Sequence, residues 1–215
     1  MLITLDGPAG VGKTTLAKKL AEKLQIAYLD SGAMFRGLAY YLGQDKLNLS
    51  EEELKPILNN FQFQLVLEGK DYFLYLNQKK LGEEIRTEEV GFLASSLGKL
   101  KVVRDFLKAE QQRLAENTSL VAEGRDMGTV VFPQADYKFF LDADCEERAK
   151  RRYKQLKMLG KEADLTLILE QIKQRDEQDR NRPIAPLKPA ADAIIIDTTK
   201  LNLEEVFFKI LSYIK

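Results

Sequence analysis

Gly7-Pro8-Ala9-Gly10-Val11-Gly12-Lys13-Thr14-Thr15 brings flexible backbone, one cation and two hydroxyls into a single short run. The spacing fits G-x-x-x-x-G-K-[ST], and the chemistry of that spacing is the cradling of a nucleoside triphosphate. Backbone N–H groups of such a loop converge on phosphate oxygens at a helix N-terminus, where the helix dipole favours negative charge. Glycines at 10 and 12 admit backbone conformations and close approach that a Cβ would block. Lys13 is a mobile point charge for the β- and γ-phosphates, and the Thr14 hydroxyl is an oxygen ligand for Mg²⁺. Residues 7–15 are therefore expected to hold ATP, with Mg²⁺ bound alongside it.

A second set of charged groups stands where strand-like runs end. Leu120-Val121-Ala122 is followed by Glu123-Gly124-Arg125-Asp126. Glu123 is expected to hold Mg²⁺ through its waters, the other reading being a helix cap or an ion-pair partner. Arg125 falls two residues on, toward the ligand. With Lys13, these two form the expected catalytic set. Two basic stretches are more open. Arg148, Lys150, Arg151, Arg152, Lys154 and Lys157 read as a solvated helix face, as a nucleic-acid contact, or as lid arginines that close over ATP; the hairpin implied by Gly160 favours the lid. In Arg175 to Arg182, arginines and aspartates alternate at spacings that also suit simple ion pairs within a helix, and spacing does not decide between the readings.

The chemistry missing from the chain is equally informative. It has no histidine and one cysteine, Cys145. Cys/His zinc sites, histidine-based acid–base mechanisms and intrachain disulfides are all excluded. Phosphoryl transfer needs none of them, because it works by positioning and electrostatics from Lys, Arg and Mg²⁺. A lone cysteine fits a reducing cytoplasm. With 33 basic and 33 acidic residues the formal charge is zero, so neither nucleic acid nor a membrane is an expected partner. No apolar run approaches the roughly 18 residues of a membrane helix, and no signal peptide is expected because the first strand begins at once.

The elements that must position these groups read as follows. Leu2-Ile3-Thr4-Leu5 is a short buried strand, and Leu16, Ala17, Leu20, Ala21 and Leu24 recur at helical spacing behind the glycine loop. Residues 26–30 form a second strand, and Ser31-Gly32 opens a helix. Ser50 with Glu53 has the form of a capping box. Residues 61–65 and 72–76 then alternate as strands around a turn at 68–71, which predicts a small antiparallel lobe. Residues 87–115 return to helical periodicity. Further strands are expected at 120–122, 137–141 and 193–196, with helices between them and a last helix carrying Leu203, Val206, Phe207, Ile210, Leu211 and Ile214. Short apolar strands alternating with helices predict a five-stranded parallel sheet covered on both faces. Ligands bind beyond the carboxyl ends of such strands.

Asp30-Ser31-Gly32-Ala33-Met34-Phe35-Arg36, Ile85-Arg86-Thr87, Glu123 through Pro133 and Arg175-Asp176-(x)2-Asp179-Arg180-Asn181-Arg182 stand in this order along the chain. Together with the glycine loop they resemble bacterial cytidylate kinases over essentially the whole length, and the G-R-D-M-G-T-x-V-F-P segment is the most specific part. The resemblance implies an α/β fold: a three-layer P-loop kinase core (1–60 and 91–215, with a helical lid at about 152–182) and an inserted NMP-binding lobe at 61–90. It implies transfer of the ATP γ-phosphoryl group to CMP or dCMP. Ser31, Arg36 and Arg125 would then hold the acceptor phosphate. Ser95, Arg104 and Arg182 would read the cytosine, with Asp126 close by, while Arg175 and Asp179 would meet the sugar and Arg86 would tie the lobe to the substrate. Three positions depart from the family pattern. Phe35 stands for a more usual tyrosine, Glu123 for the aspartate of many relatives, and Gln178 for a lid arginine. The competing expectations are an adenylate or UMP kinase, or a GTP-type switch. The D-x-x-G and N-K-x-D patterns of such switches occur nowhere in the chain. A monomer is expected.

Overall fold

In the computed structural model, which describes residues 1–215, Leu2–Asp6 is the middle strand (β1) of a five-stranded sheet. Ile3, Thr4 and Leu5 are all fully buried, as a strand covered on both faces requires. Helix α1 (Lys13–Leu24) follows the glycine loop and buries Leu16, Ala17, Leu20 and Ala21 on one stripe. Strand β2 (Ala27–Asp30) leads directly into α2 (Ser31–Leu42). The Asp30 carboxylate caps that helix by accepting from the Ala33 N–H at 2.9 Å. Helix α3 (Glu51–Leu58) starts with the expected reciprocal Ser50–Glu53 box and tolerates Pro56.

The antiparallel sheet comprises β3 (Phe63–Glu68), β4 (Asp71–Leu76) and the two-residue β5 (Lys79–Lys80). The third strand was not foreseen, since two exposed lysines carry no hydrophobic alternation. The helical stretch at 87–115 is two helices, α4 (Glu88–Leu97) and α5 (Lys101–Ala115), parted at Gly98. Next come β6 (Leu120–Gly124), a single π-helical turn at Met127–Val131, and β7 (Tyr137–Asp142). A helical hairpin of α6 (Cys145–Met158) and α7 (Leu165–Asn181) turns at Gly160. The chain closes with β8 (Ile194–Asp197) and α8 (Leu203–Leu211).

The large sheet runs β2-β6-β1-β7-β8, every neighbouring pair parallel, with helices on both faces, as expected from the sequence. β8 departs in one respect: its all-apolar run reads as buried, yet it lies at the sheet edge with Ile195 61% exposed. On one face, β1 and β7 residues pack against α1 and α8. On the other, Leu29 and Ala122 share a core with α2, α4, α5 and with Phe63, Leu76 and Ile85 of the small sheet and its exit.

Candidate functional site

The sheet register lines up the groups of interest. Leu5 of β1 stands beside Glu123 of β6, and Glu123 beside Asp30 of β2, so the glycine loop, Glu123 and Ser31 leave the sheet along one edge. The loop itself could hardly be built otherwise. Gly7 has φ +151°, and a Cβ there would lie 2.2 Å from the Leu141 carbonyl oxygen of β7. Gly10 has φ +77° and packs against the backbone of Arg148. The N–H groups of Gly10, Val11 and Gly12 donate to no backbone carbonyl, so the loop offers unspent donors.

Lys13 is buried, with Nζ donating to the carbonyls of Gly7 and Pro8, both at 2.8 Å. Burial and the neighbouring Arg125 charge lower its pKa well below the usual lysine range. Beside it, Glu123 is 4% exposed and accepts from the Tyr28 hydroxyl at 2.5 Å, with the Thr14 hydroxyl close by. Burial, then Asp30, pushes the Glu123 carboxyl up, against Lys13 and those hydroxyls. Thr14 and Glu123 thus present two hard oxygen donors next to each other, which suit Mg²⁺. No cluster of three or more acidic, Cys or His side chains could cage an ion. A cation that keeps several waters and takes phosphate oxygens needs no more than this pair.

Across the edge, the expected acceptor-side residues divide into groups. Ser31 is buried at the start of α2, its Oγ against Gly124. Arg36 of α2 donates to the Ile85 and Thr87 carbonyls at 3.2 and 3.1 Å, and Arg86 pairs with Asp30 at 3.3 Å. Arg125 Nε donates to Asp179 of α7 at 2.8 Å. Burial works to raise the Asp179 pKa, but the charge and hydrogen bond of Arg125, with Arg175 and Arg182, hold it below its ordinary value. Asp126, also buried, receives Arg104 at 3.2 Å and Arg182 at 3.5 Å. Burial outweighs those arginines and raises its pKa. Arg175 has no carboxylate partner within ion-pairing distance, although it feels the charges of Arg125, Asp179 and Arg36. Ser95 is the one not brought in: it lies exposed on α4 with no side-chain hydrogen bond.

The charged run at 175–182 is not a set of ion pairs along one helix. Asp176 reaches Arg148, Asp179 reaches Arg125, and Arg182 reaches Asp126; only the 3.9 Å Arg182–Asp179 pair is local. Nor is the basic run of α6 uniformly solvated, because Arg148 is 3% exposed. Three further residues went unread in the sequence: Asp6 accepts from the Met127 and Gly128 N–H groups at 2.9 and 2.7 Å, Tyr28 holds Glu123, and Gln111 lines a cavity. Arg148, read only as one member of the basic run, contacts the loop. Only Asp6, a carboxylate ending an apolar strand, had a signal that could have been read. The Gln111 cavity, about 50 Å³, is shared with Phe35, Arg104 and Asp126. A larger one, about 240 Å³, lies between Gly12, Arg151, Thr198 and Leu203 beside the glycine loop.

A family model described as Cytidylate kinase matches residues 3–215. The cytidylate kinase of Maridesulfovibrio salexigens is 56% identical over 209 residues, 97% of this chain and 94% of that one. That of Oleidesulfovibrio alaskensis is 55% identical over 100% of this chain and 98% of its own length. Cytidylate kinase 1 of Haemophilus influenzae is 47% identical over 100% of this chain and 94% of its own.

Proposed function

The chain belongs to the cytidylate kinase family, and on that premise we propose that it transfers the γ-phosphoryl group of ATP to CMP and dCMP, giving CDP and dCDP. The observation that carries the reading is the junction at Gly124. One residue before it, Glu123 meets Thr14 of the triphosphate loop, and one residue after it, Arg125 meets Asp179. The donor and acceptor sites therefore abut with a single residue, Gly124, between them.

Donor and acceptor take opposite sides of that junction. Residues 7–15 hold the ATP phosphates, and Lys13 moves from its own loop carbonyls onto the β- and γ-oxygens. The cavity beside Gly12 and Arg151 takes the donor base. Thr14 and Glu123 would hold Mg²⁺, which when bound neutralises charge on the transferring phosphates. Ser31, Arg36 and Arg125 grip the CMP phosphate; Arg fork geometry matches its oxygens. That phosphate has a second pKa near 6, so it is already largely dianionic at neutral pH and needs no general base. Asp126, held by Arg104 and Arg182, accepts from the cytosine amino group, where uracil presents a carbonyl. Arg175 and Asp179 meet the sugar, and Ser95 joins the base from α4 only after that helix shifts. Residues 61–90 act as the acceptor lobe and 152–182 as the lid. The proposed working unit is a monomer.

The test is turnover of CMP, dCMP, UMP and AMP with ATP and Mg²⁺. CMP and dCMP should exceed UMP and AMP in kcat/KM by at least about 100-fold, since a buried carboxylate left facing a carbonyl costs several kcal/mol. Equal use of AMP would overturn the assignment. Chelation of Mg²⁺ should abolish turnover, and its restoration should recover it.

A further inference from the structure

Arg148 belongs to neither nucleotide contact described above, yet it is among the most buried charges in the molecule. Its side chain is 4% exposed, and all three guanidinium nitrogens are engaged. Nε donates to the Ala143 carbonyl at 2.9 Å, Nη1 to the Ala9 carbonyl at 3.0 Å, and Nη2 to Asp176 of α7 at 2.6 Å. Ala9 lies inside the triphosphate loop and Asp176 on the lid helix. One side chain thus joins the two.

The contact has a geometric consequence. A trans peptide is planar, and its C=O and N–H point in opposite directions. Drawing the Ala9 carbonyl toward α6 therefore turns the Gly10 N–H away from α6. That N–H donates to no backbone carbonyl. The fit is close: a Cβ on Gly10 would lie 3.3 Å from both Cβ and O of Arg148, so α6 seats directly on the loop.

We propose that Arg148 is a positioning residue for the donor phosphates. It fixes the Ala9–Gly10 peptide so that the Gly10 N–H is pre-aimed at a phosphate oxygen, and Asp176 makes this hold depend on α7 being docked. Asp179, three residues on, keeps its own bond to Arg125, so loss of the Asp176 contact frees the donor loop without undoing the acceptor-side pairing. The inference rests on reading residues 7–15 as the ATP loop.

Asp176→Asn, Arg148→Lys and Arg148→Met test it, with ATP and CMP varied independently and the melting temperature recorded for each. Removing a hydrogen bond to a charged group should raise KM for ATP roughly 10-fold in Asp176→Asn and more in Arg148→Met. Arg148→Lys, which keeps the charge but lacks the planar fork that spans all three acceptors, should recover part of the loss. KM for CMP should stay within about 2-fold, and binding of adenosine, which lacks phosphate, should not change. An equal rise in both KM values, or no change in KM for ATP with folding intact, would overturn the proposal. If Arg148→Met does not fold, Asp176→Asn carries the same comparison. Failure of the underlying reading looks different, because the unmodified protein would then not bind ATP in the same titration.

Discussion

Lys13 shows how a residue's type can be legible while its resting place is not. The motif identified it, but its folding back onto the Gly7 and Pro8 carbonyls is a tertiary fact. Because those contacts only park the ammonium, Lys13→Ala should lower kcat by at least about 100-fold, a loss typical of removing one preorganised charge-stabilising donor. Its melting temperature should change little, since a buried cation's desolvation is relieved as its hydrogen bonds are lost. Steady-state kinetics and a thermal melt check both halves. Asp179 is the opposite case, a residue whose pairing to Arg125 crosses 54 positions of sequence and has no local signature. Asp179→Ala leaves a partly buried guanidinium without its partner. KM for CMP should rise about 10-fold or more while KM for ATP is nearly unchanged; equal rises would place Asp179 elsewhere. Arginine pairing at 175–182 was illegible for the same reason, since i,i+3 and i,i+4 spacings look identical whether partners lie along the helix or across a cleft.

The π-helical turn after β6 holds Arg125 and Asp126 in place, and Asp6 of β1 holds the turn. Burial, together with Asp126, pushes the Asp6 carboxyl up to about 6, against the Met127 and Gly128 N–H groups and Lys13. A carboxyl whose folded pKa exceeds its ordinary value of 3.8 binds more protons in the native state, so stability grows as pH falls through the window from about 6 to 4. The size is about 3 kcal/mol for that shift. Asp6→Asn should remove this dependence. The difference in unfolding free energy between the parent and the variant, measured by denaturant titration, should therefore widen in the parent's favour from pH 7 to pH 4.5. A constant difference would mean Asp6 does not titrate there. At this scale the sequence was most transparent where a local rule governs: the cap at Ser50, the stripe of α1, the hairpin break at Gly160. It was opaque at β5 and at the π turn, whose conformations are set by what packs on them rather than by their own residues.

Across the whole molecule, alternation of strand and helix was enough to read five parallel strands, because only such a sheet buries apolar runs on both faces, and the candidate site gathers at their carboxyl ends. The order of the strands was not legible. The insertion of β6 between β1 and β2 sets Glu123 beside the loop, and it comes from crossovers that no short window contains. The proposed lid makes a prediction at this scale. The turn between α6 and α7 carries exposed Met158, Leu159 and Leu165 and should be the preferred protease target. A non-hydrolysable ATP analogue with CMP should slow cleavage there more than either ligand alone, read as the rate of appearance of the two fragments. Equal protection by CMP alone would mean the hairpin does not answer to the donor.

The small antiparallel sheet offers a last consequence. Phe63, Leu76 and Ile85 lie in the same apolar cluster as Leu29, Leu38, Val103 and Ala122. The sheet thus owns no interior of its own, and a calorimeter should record one heat-absorption peak rather than two, with van't Hoff and calorimetric enthalpies in agreement. It also follows that the segment, cut out on its own, would have no interior to collapse around and should stay unfolded as a free peptide.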